Sequence, residues 1–497
     1  MTTKNSSILK IVSGFAERTS AHGFHSISSG KRLVKKVLWL SFLLAAWLVC
    51  GLQTCKSLSA YWQHETRTQL KVKTGNNLRF PAVTICNLNP IRKSMLQTSS
   101  NPKLLELADR LERIRTSPDR SGQYLAKSWD LRNYVFSMLY NEQLDFSWLG
   151  HQIEDMLIDC TFQTKTCKAD NFSRFDVPDY GNCYTIFTSK FKAYIGSDYG
   201  LALTLFAQDS EYLPMLSPAA GFRVQLHAAE YVPFPLDYGF TISPGGSSSV
   251  TVKLSRFTRL ALPYDGTDCG GTPDNLHRLM DKSIFQFWNA MKVPGNFSQM
   301  NYTSQACYKS LQQSMMAKQC HCVAPYTVSW NQATHVDWSS VWTPKDYRSE
   351  SGGMDAYEKP AHTQVTDELM GGICEKQCPQ ACYEDYYDTR FTTSLWPRAS
   401  FFEDIRTDWN SIKPLRKQTL NISYVQQNFA QLHVYFEDMS YQAITEMPQM
   451  DGWQLMATVG GTMGLYAGAS FLTLLEFGEL LLHLLGQLGC DWFNGCQ

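Results

Sequence analysis

The sequence predicts an α+β membrane protein in which two transmembrane helices flank a large, disulfide-rich extracellular domain. Three observations carry that prediction: an uncharged apolar run from Val37 to Leu52, a longer apolar run from about Trp453 to Leu488, and eleven of the 15 cysteines gathered between Cys86 and Cys382. The bulk composition hides it. The 497 residues balance 45 Lys+Arg against 45 Asp+Glu and are 44% hydrophobic, because about 390 residues between the two runs dilute them. A zero net charge removes the general attraction to phosphate on which nucleic-acid binding depends. With 13% aromatic residues the chain has ample material for a core, which excludes wholesale disorder.

The N-terminal segment, 1–36, ends in Lys31, Arg32, Lys35 and Lys36. Basic residues directly before a span hold that end in the cytosol. The first span, 37–58, reaches a sufficient length once Cys55 and Leu58 extend the apolar run. A cleaved signal peptide is the competing reading, but the run starts far into the chain and no small-x-small site leads into a soluble start. Two spans return the C-terminal residues 489–497 to the cytosol and leave 59–450 outside. The clustered cysteines agree, since disulfides belong to oxidising compartments. Sequons at Asn171, Asn296, Asn301 and Asn421 are then usable glycosylation sites, whereas Asn5 lies on the silent side.

Within 59–450, short β-rich runs at Phe80–Cys86, Leu201–Phe206, Gly221–His227, Val250–Leu254 and Leu432–Phe436 are scattered from end to end, so distant segments must assemble the sheet. Apolar residues at helical spacing predict three helices between Pro102 and Cys160, the last carrying Leu149, Ile153, Met156 and Leu157. A further helix is expected over Ala306 to Gln319. No phosphate loop, G-x-S-x-G or H-E-x-x-H motif occurs, so an enzyme is not expected. Cys320, Cys322, Cys374, Cys378 and Cys382 also have spacings that suit zinc, but outside the cell disulfides are the favoured reading.

The second span, 451–488, is longer than one crossing needs, rich in Gly and Ala in its first half, and carries Glu476 and Glu479 in its second. A carboxylate at bilayer depth costs several kcal/mol unless water or a partner meets it, so this helix is expected to line something wet. The alternative is that Glu476, Glu479 and His483 mark the cytosolic end and face solvent.

Several motifs, in this order, resemble the epithelial sodium channel/degenerin/acid-sensing channel family: His22-Gly23 before the first span, FPAVTICNLN at Phe80 to Asn89, MLIDCTFQTKTC, YGNCYTIF at Tyr180 to Phe187, EYLP with AGFRVQLH at Glu211 to His227, and GGTMGLYAGASFLTLLE at Gly460 to Glu476. The resemblance covers nearly the whole chain. It implies a plasma-membrane trimer, a homotrimer with heteromeric assembly as the alternative, that conducts sodium, needs no cofactor and is blocked by amiloride. It also implies palm, finger (about 95–165), thumb (about 265–385), knuckle and β-ball parts. Gly468, Ala469 and Ser470 would form the selectivity filter; Gly460, Gly464 and Gly468 also read as a plain packing face. His22, Gly23, Glu476 and Glu479 would build the lower pore. Ala457 stands where a bulky residue would hold the gate open, and Thr458 stands where acid-sensing relatives carry Asp.

The implied disulfides are Cys86 with Cys183, Cys160 with Cys167, Cys269 with Cys382 and Cys307 with Cys378, while Cys374 takes Cys320 or Cys322. Three openings compete: a peptide, protons, or none. Lys71 and Lys73 replace acids of the proton-sensing relatives, and the loop after EYLP is short. The pattern is most like the invertebrate FMRFamide-type channels, and Asp109, Glu112, Trp129 and Asp130 of the finger are the candidate peptide contacts. A different class, an anchored adhesion or receptor ectodomain, would carry no pore.

Overall fold

The computed structural model describes residues 11, 13–29, 32–75, 78–116, 146–177, 179–186, 191–213, 216–264, 269, 301–309, 378–409, 415 and 420–493. Two compact units contain them: one formed by the two ends of the chain, through Thr68 and from Glu446, together with Leu262–Asp268, and one comprising Gln69–Ala261 and Cys269–Thr445.

In the first unit, the helix Leu33–Trp62 has 30 residues. At 1.5 Å per residue that is about 45 Å, the thickness of a bilayer with its headgroups. Leu38, Phe42, Leu44 and Leu48 are all more than half exposed, as befits side chains whose solvent is lipid. The second apolar region departs from the continuous helix that its length suggests. It is two helices, Gly452–Ala467 and Phe471–Phe493, bent by 74° at Gly468-Ala469-Ser470.

The second unit carries the strands β1 (Thr66–Thr74, which begins in the first unit), β2 (Ala82–Asn87), β3 (Leu157–Phe162), β4 (Lys165–Thr166), β5 (Phe172–Val177), β6 (Gly181–Ile186), β7 (Leu201–Phe206), β8 (Phe222–His227), β9 (Phe240–Ile242), β10 (Gly246–Thr258), β11 (Tyr383–Leu395) and β12 (Phe429–Pro448, which ends in the first unit). They form a seven-stranded sheet, ordered β11-β10-β12-β7-β3-β4 with β1 on β12, and a five-stranded sheet, ordered β5-β6-β2-β8-β9. Each of the five β-rich runs of the sequence overlaps a strand, with Phe80, Pro81 and Gly221 just before theirs. Buried and half-buried residues alternate along β10, the signature of a strand with one face on the core. All six residues of β2 are buried, because both its faces are covered. The shared core includes Phe80, Ile85, Leu203, Phe222, Val250, Leu432 and Phe436.

The helix expected across Leu149 to Leu157 is instead two short turns, Phe146–Leu149 and Ile153–Met156, and Leu157 opens β3. Pairing with β7 wins over local periodicity there, since Cys160 and Phe162 face Leu203 and Leu201. The helix Pro102–Thr116 forms as expected, and of the helix expected over Ala306 to Gln319 residues 304–309 are described and helical.

The disulfides Cys86–Cys183, Cys160–Cys167, Cys269–Cys382 and Cys307–Cys378 are those the resemblance implied. Cys86 and Cys183 sit directly opposite in β2 and β6, and Cys160–Cys167 closes the β3–β4 hairpin. Cys320, Cys322 and Cys374 lie outside the described residues. Two of the quoted motifs are also joined physically. Tyr212 donates to Asn87 Oδ1 at 2.6 Å, and Asn89 Nδ2 donates to the carbonyls of Ile91 and Glu211, so FPAVTICNLN and EYLP share one buried polar hub.

Candidate pore site

The break in the second apolar region follows from three residues. Gly468 adopts a left-handed conformation, φ +59°, which ends the first helix and which L side chains rarely take. The amides of Gly468 and Ala469 both turn back to the carbonyl of Met463. Ser470 then restarts the helix: its hydroxyl accepts from the Thr473 amide, and its own amide donates to Thr473 Oγ1 at 3.0 Å. Thr473 is fully buried although polar, because these bonds satisfy it.

Against this break folds the N-terminal segment. His22 donates its amide to the carbonyl of Ala467, and its ring lies against Gly468 and leaves no room for a Cβ there. Gly23, at φ +91°, makes the turn into the helix Phe24–Ser29. The Thr19 hydroxyl and the Ser20 amide each donate to Glu476 Oε2 at 2.9 Å, and the Ser20 and Thr473 hydroxyls share a 2.6 Å bond. Phe15, Phe24 and Trp47 surround the ring of Phe477.

Thus His22, Gly23, Gly468, Ala469, Ser470 and Glu476 come together. Glu479 does not join them: it is exposed, one helical turn before His483 and 3.8 Å from it. Ala457 and Thr458 lie exposed on the helix Gly452–Ala467, more than two turns before the break. Thr19, Ser20 and Thr473 were not singled out in the sequence; their signals were a Ser-x-x-Thr pair at the helix restart and hydroxyls directly before His22-Gly23. Of the finger residues, Asp109 lies exposed on the helix Pro102–Thr116 and Glu112 falls on the same helix, while Trp129 and Asp130 lie outside the described residues.

A broken apolar span braced by a returning N-terminal segment, in a chain whose second unit is stapled by disulfides, is the build of a membrane channel subunit. The chain belongs to the amiloride-sensitive sodium channel family, whose pattern matches residues 15–480. It is 25% identical to an FMRFamide-activated amiloride-sensitive sodium channel of Cornu aspersum, over 97% of this chain and 84% of that one. It is 25% identical to acid-sensing ion channel 1A of Danio rerio, over 97% and 89%, and 24% identical to the epithelial sodium channel subunit alpha of Neoceratodus forsteri, over 95% and 79%. Against degenerin del-1 of Caenorhabditis elegans the identity is 27% over 68% of this chain, which spans 46% of that relative. Family members are sodium channels rather than enzymes; they sit in the plasma membrane, assemble as trimers and are blocked by amiloride.

Proposed function

We propose that three copies of this chain form a sodium-selective channel of the plasma membrane that a short extracellular peptide opens. The observation that carries the pore reading is the interrupted helix. Non-helical backbone at membrane depth is tolerated only where it is buried in protein or lines water. Gly468, Ala469 and Ser470 supply small side chains, backbone carbonyls and a hydroxyl at that level, and such groups can replace an ion's water. In this reading His22, Gly23 and the Glu476 carboxylate form the lower pore, Glu479 adds negative charge nearer the cytosol, and Ala457 and Thr458 form the gate. Both termini are cytosolic, and Asn171, Asn296, Asn301 and Asn421 carry glycans; of these, Asn171, Asn301 and Asn421 are exposed.

For gating, the relative activated by FMRFamide aligns along 97% of the chain, and Lys71 and Lys73 stand exposed on β1. Burial holds His151 and His227 at about 4, too low to sense mild acid. The peptide is assigned to the finger, with Asp109, Glu112, Trp129 and Asp130 as contacts. The test is whole-cell current from cells expressing the chain, with Phe-Met-Arg-Phe-amide, with acid and with neither. Current evoked by the peptide and blocked by amiloride supports the reading. Current evoked by acid alone gives the proton-gated alternative, and a standing amiloride-sensitive current the constitutive one.

A further inference from the structure

A cleft of about 540 Å3 opens in the second unit, lined by residues of β1, β10, β11 and β12. It lies within the size range of small-molecule sites. Its floor is set by strand register. Arg256 of β10 stands opposite Asp385 of β11, and Leu254 opposite Tyr387. Arg256 donates through Nε and Nη2 to the two oxygens of Asp385, at 2.7 and 2.8 Å, and its guanidinium lies over the rings of Tyr383 and Tyr441, 5.4 and 5.3 Å from their centroids. At the rim, Arg79 is paired with Glu230 at 2.9 Å and both are substantially exposed.

The polar inventory of the floor is lopsided. Both oxygens of Asp385 are committed to Arg256, yet Nη1 of Arg256 has no hydrogen-bond partner among the described residues. Tyr387 is only 9% exposed and lines the cleft, and its hydroxyl likewise has no partner among the described residues. Burial pushes the Tyr387 phenol up, so it remains an O–H donor. Neither atom is buried without a partner, so both are open to whatever enters the cleft. What is uncommitted at the floor is therefore donor capacity, one part of it on a permanent cation, and the walls are aromatic. A group that accepts two hydrogen bonds and bears negative charge, attached to an apolar body, meets all of these features.

We propose that this cleft binds a small amphiphilic carboxylate, its acid group on Nη1 of Arg256 and the hydroxyl of Tyr387, its apolar body against the ring of Tyr383. Because Tyr441 belongs to β12, the strand that continues to Pro448 just before the broken span, such a ligand is a modulator distinct from the opening peptide.

The test is calorimetric titration of the full-length channel in lipid nanodiscs with 4-phenylbutyrate. Saturable binding is expected, with Tyr387→Phe weakening it about tenfold, the worth of one charge-assisted hydrogen bond, while the melting temperature stays unchanged. The paired change Arg256→Gln with Asp385→Asn, which keeps a polar cross-strand pair and removes the cation, is expected to abolish binding. 4-Phenylbutylamine is expected not to compete. Absence of saturable binding up to the solubility of the acid, full affinity in Tyr387→Phe, displacement by the amine, or a large fall in melting temperature on Tyr387→Phe would each overturn the assignment.

Discussion

At Gly468 two independent constraints meet: a left-handed backbone, φ +59°, and an imidazole where any Cβ would stand. Gly468→Ala must therefore either move His22 or straighten the turn, and both alter the narrowest level of the proposed pore. The expected outcome is a changed sodium-to-potassium permeability ratio, read from reversal potentials; a wild-type ratio at normal current would count against this role for the His22–Gly468 contact. Two buried histidines set a second expectation. His151 lies with Nε2 2.9 Å from Asn89 Nδ2 and Nδ1 2.7 Å from Gln208 Oε1, while His227 Nδ1–H donates to the Ala228 carbonyl and Nε2 lies 2.9 Å from the Thr84 hydroxyl. Both rings are buried, which disfavours their charged form. Burial lowers each from 6.5 to about 4. The folded chain then binds fewer protons than the unfolded one below pH 6.5, so stability is complete above that pH and is lost as pH falls toward 4, by roughly 3 kcal/mol per histidine. Melting temperatures of the purified channel should fall across that window, and less steeply in His227→Gln; identical slopes would show that His227 does not titrate there.

The elements divide into those that local pattern specifies and those that it does not. The strands at Leu201–Phe206 and Phe222–His227 are legible from β-branched and aromatic runs bounded by Gly or Pro, and the first span from its apolar length. The broken second span is legible as small residues but not as a bend, because Gly, Ala and Ser inside an apolar run fit a packing face equally well. The bend needs the left-handed Gly468, the Ser470–Thr473 restart and a partner segment from the other end of the chain, and only the last reveals why Thr19 and Ser20 matter. Leu157 sits in a strand for a similar reason: its partner on β7, Leu205, is distant in sequence. The cross-strand bond between β2 and β6 gives the element-scale prediction. Cys86–Cys183 closes a separation of 97 residues, and bonds over loops of that size constrain the unfolded chain by about 4–5 kcal/mol. Cys86→Ser should sharply reduce surface delivery, measured by biotinylation; wild-type surface levels would contradict a structural role.

For the whole molecule, distant segments do most of the building. β1 and β12 pair although about 350 residues separate them, and FPAVTICNLN meets EYLP through Asn87, Asn89 and Tyr212. No composition average carries that information, whereas the ordered series of motifs does, which is why the family and the two-span plan could be read before the sheet topology. The finger residues proposed to meet the peptide are the part least reached by either route, since acidic and aromatic residues on a helix serve equally as a solvated face beside a core face. The most direct measurement is whole-cell recording from cells that express this chain alone. An amiloride-blocked, sodium-selective inward current on application of Phe-Met-Arg-Phe-amide at neutral pH is the expected result; no current under any condition, with the protein present at the cell surface, would contradict the channel itself.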